Sequence, residues 1–222
     1  MSQANVTSPA SRKRARARNR RGEGGRLRDD IVVAAAALLD ETGDERTVTL
    51  RSVARRVGIA APSIYPHFPD RSAIMLAVVR REFGALEACL SAVAREAGSD
   101  PLDRLHAVCR AYLDYARRRP ERYRTMFGGL WKPVPGGSSL TEEELTGLGT
   151  SAMGVLVGLL ADCAAAGRSA VTDPERDAVT LWLCLHGLAQ QRAASRVFPW
   201  SAEDIADTIV GRIARLTGGS GG

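Results

Sequence analysis

The chain has 222 residues, 45% apolar and 25% charged, with a net charge of +6. That composition is globular, and the length suits one large domain or a small domain joined to a larger one. The longest uninterrupted apolar run, Ile31 to Leu39, is far short of the roughly 20 residues that cross a bilayer. No apolar stretch follows the basic N-terminus, so neither a membrane segment nor a secretory signal is expected and the cytoplasm is the expected location.

The charge is concentrated in residues 1–28. Arg12, Lys13, Arg14, Arg16, Arg18, Arg20, Arg21, Arg26 and Arg28 face Glu23 alone, a net +8 that leaves −2 for the rest of the chain. An Arg-rich, apolar-poor segment cannot bury enough surface to fold by itself, and it suits a polyanion such as DNA; a solubilising tail is the alternative. Residues 1–25 are therefore read as a basic disordered arm. Cys89, Cys109, Cys163 and Cys184 are widely spaced and read as small buried hydrophobes, with a redox-sensing pair as the minor alternative.

After the arm the pattern is helical nearly throughout. Ile31, Ala35, Leu38 and Leu39 share one face of a first helix that stops at Gly43. Thr49 is placed to cap a second helix, in which Leu50, Val53, Ala54 and Val57 follow i, i+3, i+4, i+7 spacing, and Gly58 ends it. Arg51, Arg55 and Arg56 lie off that stripe. A short third helix follows, and it contains two prolines. Pro62 falls in the first turn, where a missing N–H removes nothing that was bonded. Pro66 deletes a bond to the carbonyl of Pro62, and Phe68 just beyond it is expected to anchor the end in the core. Ile64 and Phe68 should face inward, with Ser63 and His67 away from them. Two helices close together around Gly58 form a helix-turn-helix, whose second helix enters the major groove.

Asp70 is positioned to cap a long helix that bridges into the second half. Further helices are expected near 101–118, 120–127, 141–166, 174–197 and 201–217, three of them opened by Pro101, Pro120 and Pro174. The longest internal loop is the Gly/Pro-rich "GGLWKPVPGGSS". No strand or repeat is evident, so the fold class is all-α.

"TLRSVARRVGIAAPSIYPHFPDRSAIMLAVV" resembles the DNA-binding segment of the tetracycline repressor (TetR) family of bacterial transcription regulators. The matching positions are Thr49, Val53, Ala54, Gly58, Ile59, Ile64, Tyr65, His67 and Phe68, with Arg71 where the family often has lysine. The resemblance implies a three-helix DNA-binding domain over 26–83, a larger ligand-binding and dimerisation domain over 84–217, and a flexible tail at 218–222. It implies phosphate contacts from Tyr65, His67 and Arg71, and base reading from Ala61, Pro62 and Ser63. Thr49, Arg51, Arg26 and Arg28 complete the expected DNA-contacting set. Ala60 departs from the family, where a capping serine is frequent, and the apolar first turn points to weak direct base readout supplemented by phosphate contacts. The partners implied are a palindromic double-stranded DNA operator, a small apolar effector and a second copy of the chain. An activator of the same architecture, or an all-α binding or enzymatic protein with a vestigial helix-turn-helix, are the alternatives.

In the second half, "AVTLWLCLHGLA" over 178–189 is apolar almost all round and must cover two faces. With the stripe Ile205, Ile209, Ile213 and Leu216 it could form half of a four-helix dimer seam, to which Val179, Leu183 and Gly187 would also contribute. Trp182, His186 and Gly187 resemble a Trp-x-x-x-His-Gly subclass of the family. The candidate ligand contacts are Cys109, Tyr112, Met126, Phe127, Trp131, Met153, Trp182 and His186, with plain core packing the alternative for each. Asp103, His106 and Cys109 share a helix face, but two His/Cys donors make a poor zinc site, so no metal and no cofactor are expected. Hydrolase-elbow, phosphate-loop and His-Glu-x-x-His motifs are missing, and no enzyme is expected.

Overall fold

The computed structural model describes residues 23–128, 131, 138–195 and 200–216. The basic arm and the C-terminal tail therefore lie outside the described residues, except that the first helix, α1 (Glu23–Thr42), starts inside the stretch expected to be arm. After a 3-10 turn at Glu45–Thr47 come α2 (Leu50–Val57), a second 3-10 turn at Ala61–Ser63, and α3 (Arg71–Glu96). The rest comprises α4 (Pro101–Arg118), α5 (Pro120–Phe127), α6 (Glu142–Thr146), α7 (Thr150–Ala165), α8 (Pro174–Ala194) and α9 (Ala202–Ile213). Among the described residues no strand occurs, only an isolated bridge between Ser169 and Leu216. No helix among the described residues is long and apolar enough to cross a membrane.

Two hydrophobic cores share α3 as a common beam. Ile74, Met75, Ala77 and Val78 pack with Ile31, Ala35, Leu39, Val53, Ile64 and Phe68 in the N-terminal head. About two to four turns further on, Leu86, Leu90 and Ala94 join Leu105, Tyr112, Leu160, Leu181 and Val210 in the second core. A 26-residue helix is about 39 Å long, enough to serve both. Glu82, at the junction, is buried and paired with Arg122 of α5 at 3.1 Å, which ties α5 to the beam. His106 does not join Asp103 and Cys109; its Nδ1 lies 3.1 Å from Asp207 of α9.

Local sequence signals explain most of the boundaries. Thr49 and Ser52 form a reciprocal capping box on α2, and Gly58 ends it in the left-handed region at φ 76°. Asp70 caps α3 through Ala73, and Pro101, Pro120 and Pro174 each open a helix. Three expectations fail. The helix expected over 141–166 is two helices, broken at Gly147–Gly149, where Gly149 has φ 78°. The last helix, expected to reach 217, closes at Ile213; its sealed face is Ala202, Ala206, Val210 and Ala214. The proline stub is not a regular helix. It is a 3-10 turn with i→i−3 bonds from Ser63 to Ala60, Ile64 to Ala61 and His67 to Ile64. Pro66 removes an α-helical donor, and the tighter bonding pattern uses the donors that remain.

Candidate functional site

The head holds its third element between two buried anchors. Ile64 and Phe68 are sealed in the core, at 0% and 2% exposure, while Tyr65 between them is 60% exposed. Their backbones are also joined, the Phe68 N–H donating to the Ile64 carbonyl at 3.0 Å. Pro62 is exposed, whereas Ala61, Ser63 and His67 are half-buried. On α2, Arg51 and Arg55 are exposed and carry no ion pair among the described residues, but Arg56 forks onto Glu41 of α1 at 2.5 Å. The Thr49 hydroxyl is occupied by the capping box. Arg26 and Arg28 are exposed on α1, and the Arg28 guanidinium lies over the Phe68 ring at 4.9 Å, a cation–π contact that buttresses the anchor.

Arg71 is held by the backbone of the head itself. Its Nε donates to the Val48 carbonyl at 2.8 Å and its Nη2 to the Glu45 carbonyl at 2.7 Å, with the Glu45 carboxylate at 3.4 Å. Through Nε and Nη2 the guanidinium clamps the start of α3 to the loop before α2.

In the second core a cavity of about 260 Å³ opens between α3, α4, α5, α7 and α8. It exceeds the roughly 150 Å³ apolar cavity that holds a benzene. Tyr112, Phe127, Met153 and Trp182 line it, as the sequence suggested. Cys109 is sealed in the core beside it, where burial pushes its thiol up to about 12; Met126 packs against that core without reaching the cavity. Trp131 packs against the head core instead. Sequence reasoning missed Phe83, Leu86, Leu90, Leu148, Gly149 and Leu156 on the lining. The spacing of Phe83, Leu86 and Leu90 on one α3 face was a usable signal. Gly149 carried none, because its role depends on Phe83: a Cβ there would sit 2.8 Å from the Phe83 ring.

The polar groups beside the cavity form an ordered chain. Trp182 Nε1–H donates to the Tyr112 hydroxyl at 3.1 Å, which stands 2.9 Å from the Tyr123 hydroxyl, itself 2.6 Å from His186 Nδ1. With His186 neutral and its proton on Nε2, every hydroxyl in the chain both donates and accepts. Burial favours that state. It depresses the His186 pKa, holds the Tyr112 phenol far above its usual range and pushes Tyr123 up to about 12. The Trp182 and His186 rings stack at 5.2 Å, and Phe127 meets His186 edge-on at 4.9 Å.

A pH dependence follows. The folded His186 pKa lies below its unfolded value near 6.5, so the unfolded chain takes up the proton first. Its contribution to stability is complete above about pH 6.5 and is lost as pH falls through the folded pKa. His186→Gln should flatten that part of the curve, which denaturant titrations of both proteins between pH 8 and pH 5 would measure. A wild-type curve with the same slope as the variant's would contradict it.

The expected seam residues fall at the surface. Val179 and Leu183 of α8 are 44% and 54% exposed, Gly187 one turn on has open space above it, and Ile205, Ile209 and Ile213 of α9 are half-buried.

Comparison with known proteins places this geometry. The family described as "Bacterial regulatory proteins, tetR family" matches residues 31–78, and the one described as "Tetracyclin repressor-like, C-terminal domain" matches residues 105–215. Curated relatives include the nucleoid occlusion factor SlmA of Aliivibrio fischeri, 30% identical over 103 residues, or 46% of this chain. The chain spans about half the length of the curated relatives it matches. Among solved structures, a Rhodococcus sp. RHA1 protein of unknown function superposes with TM-score 0.69 at 26% identity, covering 85% of this chain and 94% of that one. SmeT, the repressor of the Stenotrophomonas maltophilia efflux pump SmeDEF, superposes with TM-score 0.63 at 19% identity, covering 86% of this chain and 91% of that one. The two matched regions are the two domains of a transcription regulator rather than of an enzyme, and the chain belongs to the TetR family.

Proposed function

We propose that this protein is a homodimeric repressor of the cytoplasm that binds a near-palindromic operator and is released from it by a small apolar molecule. The observation that carries the reading is Tyr65, an aromatic side chain held out to solvent between two sealed anchors, Ile64 and Phe68. A side chain so exposed yet so fixed contributes little to the core and is prepared to meet a phosphate. Ala61, Pro62 and Ser63 precede it as the base-reading turn, with Thr49, Arg51, Arg26, Arg28 and His67 around them. The aromatic cavity of the second domain, with Trp182, His186 and Gly187 in the pattern of the Trp-x-x-x-His-Gly subclass, takes the effector. Weakening the operator 100-fold requires the effector to favour the released form by about 2.7 kcal/mol; equal affinity for both forms changes nothing.

Selection from a random duplex pool tests the function. It should return two inverted half-sites about 34–36 Å apart, one helical turn; failure to retain any duplex at low salt would end the proposal. Binding should also weaken with salt at a slope near −0.9 per phosphate neutralised. Deleting residues 1–24 should flatten that slope, because the deletion removes most of the cationic excess. An unchanged slope would take the arm out of the interface.

A further inference from the structure

The cavity wall and the reading head meet through one short strap. Leu148, Gly149 and Thr150 form part of the wall, at the turn between α6 and α7. From there α6 leads back to Ser139, whose N–H donates to Asp70 Oδ2 at 2.8 Å. The other oxygen of the same carboxylate, Oδ1, accepts the Ala73 N–H at 2.8 Å and caps α3, two residues after the buried anchor Phe68. The strap is stiff. Thr141 and Glu144 form a reciprocal capping box on α6, Leu140 is buried, and the second oxygen of Glu144 reaches Arg80 of α3 at 3.5 Å. Partial burial pushes the Asp70 carboxyl up, yet the N–H donors of Ser139 and Ala73 more than offset it and hold the carboxyl below its usual range.

We propose that Asp70 and Ser139 form a latch through which the α6–α7 turn of the cavity wall sets the position of the reading head. The inference rests on the effector-released function above and assigns its coupling to named atoms. An occupant that displaces Leu148 or Gly149 moves a rigid five-residue helix, and the strap pulls on the carboxylate that also fixes the first turn of α3. Asp70 is thus a positioning residue, one step removed from both DNA and effector.

The two roles of Asp70 can be separated. Asp70→Ser keeps a side-chain acceptor for the Ala73 N–H but has no second oxygen for Ser139, and Ser139→Pro removes the donor from the other side. Gly149→Ala serves as the push, since its Cβ would meet Phe83 at 2.8 Å and its φ of 78° disfavours a side chain; Met153→Trp, filling the cavity from α7, is a second push. On the duplex recovered by selection, each push should weaken binding about tenfold in the otherwise unchanged chain and less than about twofold in either latch variant. Equal losses in both backgrounds would overturn the latch. Hydrogen exchange without DNA gives an independent reading: a push should speed exchange over residues 49–73 only while Asp70 and Ser139 are intact. Exchange there that is unaltered by both pushes, or altered equally in the latch variants, also overturns it. A chain that retains no duplex defeats the repressor function, while the exchange measurement still decides the latch.

Discussion

Leu183→Lys is expected to give a folded, monomeric protein that has lost its operator. Leu183 and Val179 lie one turn apart on α8 with 54% and 44% of their surface uncovered, and Gly187 continues the row with no side chain and nothing above it. On α9 the half-buried Ile205, Ile209 and Ile213 flank the alanine face that holds the helix to its own domain. Bringing two copies together over these rows buries them on a twofold axis, so a single substitution acts twice. An unpaired ammonium in such a seam costs about 3–5 kcal/mol for each copy. In the isolated protomer the same lysine reaches water, and a surface substitution of this kind changes stability by only about 0.5 kcal/mol. Sedimentation should report a particle of one chain, 23.7 kDa, with its helical circular-dichroism signal retained and a melting temperature that no longer depends on protein concentration. With one head per particle, only one half-site is engaged, and operator affinity should fall by at least about 100-fold. A dimer that survives Leu183→Lys would move the interface elsewhere.

The features legible in the sequence are those decided within one or two turns. Thr49 with Ser52, Gly58, Asp70 and the three helix-opening prolines act through their own backbone neighbours, and the structure places all of them as helix boundaries. Ile64 and Phe68 were readable for the same reason: four residues apart in the short stub after Gly58, they share one inward face. What the sequence hid depends on contacts across the fold. The break at Gly147–Gly149 lies in a run with good helical periodicity, and only the Phe83 ring against Gly149 shows why a side chain is refused there. On α9 the isoleucine stripe was legible, but the sealed face beside it, Ala202, Ala206, Val210 and Ala214, was not. The alanines occupy it because the last helix lies close against its neighbours, and bulk moves to the flank. The family resemblance offers Arg71 as a phosphate contact, while the two backbone carbonyls that accept from it, 23 and 26 residues earlier in the chain, were not visible in the sequence. Trp131, an apolar body with one polar tip, suits a ligand pocket by its chemistry, but it packs against the other core, a contact across the fold that its own sequence neighbourhood does not show.

Phe68→Ala should abolish DNA binding by a different route, melting the head while the second domain stands. Phe68 is among the largest sealed side chains of the chain, packed in the core formed by Ile31, Ala35, Val53, Ile64 and Ile74, with Arg28 stacked on its outer side. Truncating a buried phenylalanine costs about 3–5 kcal/mol, because the lost transfer energy is compounded by the cavity left behind. That is a large share of the roughly 5–15 kcal/mol that holds a whole domain, and the head core is the smaller of the two. Regions of a protein open separately when their cores are separate, so amides over residues 31–68 should lose protection while those of α4, α7 and α8 keep theirs. Tyr65→Ala supplies the contrast. With 60% of its surface free, Tyr65 contributes little to the core, so its loss should leave exchange protection intact and still weaken operator binding about tenfold. Three residues apart, one substitution should remove the head and the other only its contact. If Phe68→Ala keeps the head protected, the 3-10 stub is not anchored by that ring, and the fixed exposure of Tyr65 would need another cause.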